Sequence, residues 1–479
     1  MYEMKYRYLK QLFAVSMGLF SLAAMAQTEI SSKIVDFQTY LPIESASIYI
    51  QNTTVGTVSN SDGKFVLQVP REFKNDTLVI SSIGFKSFKT PVEGFDPSMD
   101  IFLEEDIASL DEILVVASTR PKTGNDIVLR AIERLSFNLP EQPYLQKGFL
   151  RHKERNKKEY KWLIESALTL YDSSYASGSE DNLKINVDEI RKSYDLRDVD
   201  SLFAYSSYLR YNARGVKLKS RNLIRDTIKT SSLVKAIKWN DSRINGLENL
   251  FKGRLNLVRN SNMRKALFGK NILEKHQFKL DTVLVDDGRK IYKIEISKSA
   301  DYVGLNTPNV FNEGFEASGW LYIYWDTYAI KKIEYQLSAA SEAQRRRTKS
   351  LFDTDVNHKL IMTYREYQDK MYPSYIYYET PKLVNAGDRS SDKVKKNEAE
   401  LLKEKDEQFY YTVQEILFTE VIQDSTAVSE ALKKEWSEDI FSPRPYNKKF
   451  WKNYNTLLES EEEEKLIQDL SKRATLFKQ

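Results

Sequence analysis

The sequence contains no cysteine among its 479 residues. This absence excludes disulfide bonds, zinc sites built from thiolates and a cysteine nucleophile. It also excludes the acylated cysteine of a lipoprotein. The folded state must therefore be stabilised by burial of apolar surface and by polar contacts alone.

Histidine is almost as scarce, and the three that occur, His152, His276 and His358, form no H-E-x-x-H or H-x-H pair that would indicate a metal site. The sequence also lacks a G-x-S-x-G elbow, a phosphate-binding P-loop and a G-x-G-x-x-G fingerprint. Acyl transfer, P-loop phosphoryl transfer and Rossmann redox chemistry thus lack their local motifs. We expect a non-enzymatic protein with no catalytic residues, no metal ligands and no cofactor.

Glycine is low at 17 residues, whereas aromatic residues reach 12%, with 29 Tyr and 23 Phe. This balance is typical of aromatic-rich antiparallel sheet rather than of a glycine-rich nucleotide-binding fold. The 72 basic and 68 acidic residues leave a net charge of only +4, so nucleic acid is not expected as a partner. The length and the 41% hydrophobic content indicate a globular chain of two or three domains.

The first 26 residues have the pattern of a signal peptide. Basic residues lead, Leu12–Leu22 is a short apolar core, and Ala24-Met25-Ala26 is a small-residue cleavage site. No later stretch approaches the roughly 20 apolar residues that a membrane helix needs. We predict export, cleavage after Ala26 and no transmembrane helix in the mature chain.

Residues 27–104 are predicted to form an all-β sandwich, because short alternating runs are separated by Pro, Gly and Asn. The Asn60–Phe65 stretch reads as a hairpin turn in which Asp62-Gly63 supplies a positive φ, and Phe65, Leu67 and Val69 then share one face. The predicted strands are Lys33–Phe37, Ala46–Gln51, Gly56–Ser59, Lys64–Val69, Thr77–Ser82, Lys86–Thr90 and Met99–Leu103.

Several of these segments closely resemble one family, and they are Ile34–Asp36, Pro42, Ala46–Ile50, Gly56–Phe65 and Leu78–Phe85. The family is the carboxypeptidase regulatory-like domain, a transthyretin-like sandwich. Lys33 and Ser45 stand where the family usually has Gly, and the resemblance implies no peptidase residues. In many Gram-negative outer-membrane receptors this module precedes a TonB-dependent barrel, and Leu110–Val116 resembles the segment that joins the two.

After a linker at 105–123, we predict an α+β domain at 124–479, built on a curved antiparallel sheet with covering helices. Thr123–Asp126 resembles a capping box that opens helix Gly124–Asn138. Residues 199–267 are predicted to form helices and irregular chain, Asp392–Gln408 is a charged insertion, and Glu461 begins a last helix. The predicted strands are Tyr144–Lys153, Glu159–Tyr171 and Asn182–Leu196, the hairpins Lys275–Ser297, Gly319–Leu337 and Asn357–Thr380, and Phe409–Ile422.

The hairpin Gly319–Leu337 is apolar on both faces if its turn has an even number of residues. Trp320, Tyr322 and Tyr324 then lie on one face together with Ile333. Helices of the same domain are the favoured cover of this face, and a ligand groove is the alternative. Trp320, Tyr322 and Tyr324 are therefore our candidate ligand-binding residues.

The arrangement resembles Gram-negative envelope proteins that pair a carboxypeptidase regulatory-like domain with a domain of unknown function. It predicts a protein that binds or assembles an envelope protein or lipid in the periplasm or at the outer membrane. Two alternatives stay open. The hairpins Gly319–Leu337 and Asn357–Thr380 resemble those of the outer-membrane lipoprotein carriers, which indicates a lipid-binding half-barrel. A hydrolase of an envelope polymer would instead need two carboxylates facing each other in a polar cleft.

Overall fold

The computed structural model describes residues 27–106, 121–155, 160–178, 182–194, 201–212, 227–305, 314–385 and 407–473. The predicted signal peptide, most of the predicted linker and nearly all of the charged insertion lie outside these residues. The domain limits assigned from the sequence stay predictions.

The N-terminal domain is the predicted β-sandwich, with a three-stranded sheet in the order β4-β1-β7 and a four-stranded sheet in the order β3-β2-β5-β6. Its core is a separate apolar cluster that includes Ile34, Ile48, Phe65 and Leu78. The strands are β1 (Thr28–Asp36), β2 (Ser47–Ile50), β3 (Gly56–Val58), β4 (Lys64–Val69), β5 (Thr77–Ser81), β6 (Phe88–Pro91) and β7 (Ile101–Leu103).

The turn at Asn60–Lys64 has the predicted chemistry but a different role. Gly63 has a φ of +73°, and a Cβ placed there would lie 2.4 Å from the Ile34 carbonyl oxygen, so glycine is required. The turn connects β3 and β4, which belong to different sheets, so the predicted hairpin is wrong. The predicted inward face is confirmed, because Phe65 is buried together with the alternate residues of β4.

The second domain contains one antiparallel sheet of ten strands in the order β10-β9-β8-β17-β16-β15-β14-β13-β12-β11. It joins two meanders, β8 to β10 and β11 to β16, through the last strand, β17. The strands are β8 (Tyr144–Arg155), β9 (Tyr160–Asp172), β10 (Leu183–Tyr194), β11 (His276–Asp286), β12 (Arg289–Lys298), β13 (Phe315–Tyr324), β14 (Ile330–Ala339), β15 (Val356–Tyr367), β16 (Lys370–Asn385) and β17 (Glu407–Ile422).

Helix α1 spans Gly124–Asn138, as the sequence predicts, because the Thr123 hydroxyl accepts a hydrogen bond from the Asp126 amide at 3.1 Å. The stretch at 199–267, predicted to form helices and irregular chain, contains three α-helices in its described part. The remaining helices in the described residues are α2 (Ser201–Asn212), α3 (Thr230–Asn245), α4 (Leu247–Lys252), α5 (Glu342–Phe352), α6 (Ser425–Leu432), α7 (Lys448–Lys452) and α8 (Glu461–Arg473).

Cross-strand pairing separates the two faces of the large sheet. On the face that we call the helix face, Leu321, Ile333 and Met362 are successive neighbours and pack in one cluster with residues of α1, α3 and α4. On the opposite face, which we call the sandwich face, Tyr375, Leu417 and Phe149 are successive neighbours. There they pack with Val58 of the N-terminal domain and with Trp451 and Leu457 of the C-terminal segment.

The predicted face of Ile333 is wrong. The register of β13 and β14 shifts between Tyr322 and Ile323, so that Leu321 pairs with Ile333 while Tyr322 pairs with Lys332. This β-bulge inserts one residue and moves Ile333 to the helix face. The prediction assumes a regular pairing that continues from a turn of even length, and such a pairing contains no bulge.

Candidate binding cleft

The N-terminal domain packs against the sandwich face through Arg365 of β15. The Arg365 guanidinium donates a hydrogen bond to the Thr54 carbonyl at 3.1 Å and lies 4.9 Å from the centre of the Tyr49 ring. A Cβ at Gly56 would lie 2.6 Å from this guanidinium, so the backbone of β3 approaches it as closely as a glycine allows. Burial lowers the pKa of Arg365 to about 10.

The C-terminal segment binds the other side of the same domain. Asn60 donates to the Glu459 carbonyl at 2.9 Å, and Lys64 pairs with Glu461 at 3.0 Å. The backbone of Gln68 exchanges two hydrogen bonds with the side chain of Asn455, at 2.7 and 3.1 Å. The sandwich is therefore held between the large sheet and the last helical segment.

A cleft of about 230 Å³ lies where these three parts of the chain meet. Its floor is the sandwich face. One wall consists of residues 44–45 and 58–61 of the N-terminal domain, and the other wall is the C-terminal segment. It is lined by Glu44, Ser45, Val58, Ser59, Asn60, Ser61, Lys153, Arg155, Tyr160, Tyr375, Tyr377, Val413, Glu415, Leu457, Leu458, Ser460, Glu462, Glu463 and Leu466.

Lys153 is the buried cation in the floor of the cleft. Its ammonium lies 2.7 Å from the Glu415 carboxylate and also contacts Glu463. Burial alone would lower the pKa of Lys153, but the two carboxylates outweigh it and raise that pKa. Burial likewise opposes ionisation of Glu463, but Lys153 and Arg151 outweigh it and lower its pKa to about 2.

Arg151 extends this charge network behind the cleft and is only 2% exposed. Its guanidinium contacts Glu165 at 2.9 Å and Glu459 at 2.7 Å, and it also donates to the Leu457 carbonyl at 2.8 Å. Glu165 binds Arg191 at 2.5 Å as well. Every charge in this network has an opposite charge in contact, as buried ions require.

The open part of the cleft carries polar groups that are not buried. Glu44, Ser61 and Glu462 are exposed, while the Tyr375 hydroxyl donates to Glu415 at 3.1 Å. Such a mixture of carboxylates, hydroxyls and aromatic rings can bind a polar ligand or the side chains of a partner.

The sequence contains one local signal for this network. Arg151, Lys153 and Arg155 occupy alternate positions of β8, so three cations share one face of a strand. A buried strand with that pattern needs carboxylates opposite it. Local sequence patterns do not reveal the cleft, because its walls come from segments hundreds of residues apart.

The three candidate ligand residues lie on the sandwich face, outside this cleft. The Trp320 ring is covered by the Lys293 ammonium at 4.0 Å, and Lys332 lies 5.6 Å from the centre of the Tyr322 ring. Tyr324 donates to Asp286 at 2.6 Å beneath the Arg289 guanidinium. These contacts come from residues of β11, β12 and β14.

The helix face has a smaller, more apolar pocket of about 30 Å³. This volume is close to that of two water probes. Arg259 binds both oxygens of Asp172 at its edge, at 2.6 and 2.8 Å. The pocket is lined by Leu139, Pro140, Tyr144, Leu170, Asp172, Tyr175, Leu183, Phe251, Asn256, Val258, Arg259, Met362, Tyr364, Met371, Pro373 and Ile376.

The three histidines lie apart, and each is buried. His276 bonds the Tyr335 hydroxyl at 2.7 Å, His358 bonds the Tyr378 hydroxyl at 2.8 Å, and His152 lies 3.2 Å from Asp241. Desolvation lowers the pKa of His276 and of His358 to about 4, so both are neutral at pH 7. The described part of the chain contains no group of three or more acidic or histidine side chains that could hold a metal ion.

The fold defines a two-part protein, a transthyretin-like sandwich packed against a curved antiparallel sheet. Residues 30–115 match the family model of the CarboxypepD_reg-like domain, so the N-terminal domain is a carboxypeptidase regulatory-like domain. The TonB-dependent receptor SusC of Bacteroides thetaiotaomicron is 32% identical over 117 residues. That match spans 24% of this chain and only 11% of the receptor.

Two solved structures are similar to the chain at 9% sequence identity. A LolA superfamily protein from Nitrosomonas europaea covers 67% of this chain, with 98% of its own length aligned and a TM-score of 0.21. A DUF1329 family protein from Desulfovibrio piger covers 63%, with 92% of its own length aligned and a TM-score of 0.22. Scores this low carry no functional information. In the described residues, no helix has both the length and the apolar character needed to cross a membrane.

Proposed function

We propose that this chain is a non-enzymatic binding or assembly protein of the bacterial cell envelope, acting in the periplasm or at the outer membrane. The predicted signal peptide supports export. The similarity of the N-terminal domain to that of a TonB-dependent receptor supports an envelope location.

The cleft between the two domains carries the proposal. It is the larger of the two cavities described above, it is lined by polar side chains, and it is formed by three separate parts of the chain. Binding sites concentrate at such domain junctions. A ligand or partner side chain in the cleft would contact all three parts at once.

A binding role fits the state of the two buried acids that line the cleft, Glu415 and Glu463, better than hydrolysis does. A glycosidase needs one carboxyl group with a raised pKa to act as the general acid. In the cleft, Glu463 has a lowered pKa, and Glu415 is engaged by both Lys153 and Tyr375. The two carboxylates therefore act as structural partners of Lys153 in the floor of the cleft.

The test compares two tryptophan variants of the exported protein. Ser61→Trp fills the exposed rim of the cleft, whereas Lys279→Trp places the same ring on an exposed position of β11 as a matched control. We expect the wild-type protein and the control, purified from the envelope fraction, to retain an envelope component identified by mass spectrometry. Ser61→Trp should lose it without a change in melting temperature.

Two results would contradict the proposal in favour of the alternatives. Acyl lipids extracted from the protein and unaffected by Ser61→Trp would support a carrier that uses the helix face. Soluble fragments released from purified peptidoglycan, and lost in Glu415→Gln, would support a hydrolase. Recovery of the protein from the cytoplasm would contradict the proposed envelope location.

A further inference from the structure

The N-terminal domain exposes a group of large apolar side chains, which we call the aromatic patch. It consists of Phe37, Tyr40, Leu41 and Phe102, which are 51%, 69%, 64% and 44% exposed. The rings of Phe37 and Tyr40 pack edge-on against Phe102, with centres 6.5 and 6.0 Å apart. The described residues contain seven exposed large hydrophobic side chains, and four of the seven form this patch. Most of the exposed apolar surface of this kind is thus in one place.

The turn that presents the patch is fixed by its own hydrogen bonds. The Asp36 carboxylate accepts from the amides of Gln38 and Thr39, at 2.7 and 3.3 Å. The Tyr40 amide donates to the Asp36 carbonyl at 2.9 Å. The hydrogen bond from Gln38 is the main reason that the pKa of Asp36 is lowered. The patch is therefore arranged before any partner arrives, which reduces the entropy lost on binding.

Tyr40 occupies a backbone conformation that does not favour tyrosine. Its φ is +59°, in the left-handed region where glycine and asparagine are preferred. An exposed ring at such a position contributes little to folding, because it gains little burial in return. Burial of the ring by a partner gives a physical reason for its presence.

The four side chains of the patch make none of the contacts between the two domains that are described above. Those contacts are made by Tyr49, Thr54, Asn60 and Lys64, among others. Phe102 instead belongs to β7, one of the two edge strands of its sheet in the described residues, where a partner has access.

The segment that carries Phe102 is acidic, although the whole chain has a net charge of +4. Residues 96–106 contain five acidic and no basic residues. Strand alternation places Asp100 and Glu104 on the same side of β7 as Phe102. Asp100 is exposed, and Glu104, which pairs with Lys86 at 2.8 Å, keeps more than half of its side chain exposed. The aromatic patch thus has negative charge beside it.

We propose that the aromatic patch docks a partner protein through a segment that presents apolar side chains next to lysine or arginine. The apolar side chains would bury the rings, and the cations would pair with Asp100 and Glu104. An anionic lipid surface fits less well, because these carboxylates would repel it. The inference does not depend on the cleft.

The test uses the full chain and a fluorescent peptide of alternating leucine and lysine as the probe. A leucine and glutamate peptide of the same length is the charge control. We expect the lysine peptide to bind, measured by fluorescence anisotropy, and Tyr40→Ser with Phe102→Ser to weaken it at least tenfold. Phe137→Ser removes a ring that is 62% exposed on α1, and it should change the affinity less than twofold.

A second variant keeps the test informative if the serine variant fails to fold. Asp100→Asn with Glu104→Gln leaves the rings intact and should weaken binding about threefold to tenfold, most strongly at low salt. Equal binding of both peptides, or unchanged binding in both variants, would overturn the proposal. Binding to anionic phospholipid vesicles that is lost in the serine variant would replace the protein partner by a membrane surface.

Discussion

The two faces of the ten-stranded sheet are both closed, but by different chemistry. The helix face is covered by one continuous apolar cluster, in which Phe268 packs against His276 and Tyr335. The sandwich face is closed by a mixture of rings and buried ions, with Arg151 and Lys153 at its centre.

This difference separates stability from specificity. Apolar burial is non-directional, so the helix face tolerates small shifts of its helices. Buried ions need their partners in place, and their net contribution is small because desolvation offsets the attraction. The sandwich face therefore fixes how the N-terminal domain and the C-terminal segment sit on the sheet.

Arg151→Met should have the largest effect on the sandwich face. It removes a fully buried cation, which leaves Glu459 without its partner and Glu165 with Arg191 alone, and this costs about 3–5 kcal/mol. Urea unfolding measures this loss. Lys472→Met, at an exposed pair with Asp469, is the control and should change the free energy of unfolding by less than about 0.5 kcal/mol. A similar small change in Arg151→Met would contradict the role given to the ion network.

Phe268→Ala should destabilise the helix face by about 3–5 kcal/mol, because it removes a fully buried ring. The loss should be nearly the same at low and at high salt, since no charge is involved. Parallel urea titrations at two salt concentrations measure it. A strong salt dependence would show that the two faces are less distinct than their contacts indicate.

Mild acid should weaken the helix face first. The pKa of His276 is about 4 in the folded protein and about 6.5 when unfolded, so the unfolded state binds more protons between these values. Stability is therefore lost as the pH falls from 6.5 to 4, by up to about 3 kcal/mol for this group. His276→Gln should reduce the slope of the unfolding free energy in that window. An unchanged slope would mean that His276 is protonated in the folded protein.

Stronger acid should act on the sandwich face. The folded pKa of Glu463 is about 2, below its ordinary 4.5, so its contribution is complete above pH 4.5 and is lost as the pH falls to 2. Partial exposure reduces the contribution to about 1–3 kcal/mol. Glu463→Gln should flatten the stability curve below pH 4.5 and leave the region above pH 5 parallel to wild type.

The smallest effect is expected for Tyr322→Ala, about 1–3 kcal/mol. Its ring is largely buried but lies under lysine side chains at the side of the sheet rather than in its centre. A melting curve measures the loss, and extraction of bound lipid tests its predicted ligand role. Unchanged stability together with loss of a bound acyl lipid would support the alternative that a ligand covers this face.

Local patterns in the sequence predict the elements well. The capping residue Thr123 fixes the start of α1, and alternation marks the strands of both domains. Relations between distant elements could not be read in this way. A one-residue bulge moved Ile333 to the other face, and no local pattern indicates that β8 pairs with β17.

The candidate site was beyond local patterns for the same reason. The rings of Trp320, Tyr322 and Tyr324 suggested a ligand surface, but lysine and arginine side chains from elsewhere in the same sheet lie against them. The cleft combines a turn near residue 60, the strand β8 and the segment after residue 457. Only the three-dimensional arrangement brings these together.

The position of β17 has a consequence for the order of folding. This strand pairs with β8 on one side and β16 on the other, although it follows both in the chain. As the chain is made, each meander can form from local contacts, but both keep an unpaired edge until residues 407–422 are available. Closure of such long loops is slow, and open edges pair readily with other chains. A chain that stops before β17 should therefore yield two half-sheets prone to aggregation, and joining of the meanders should be the slow step in refolding.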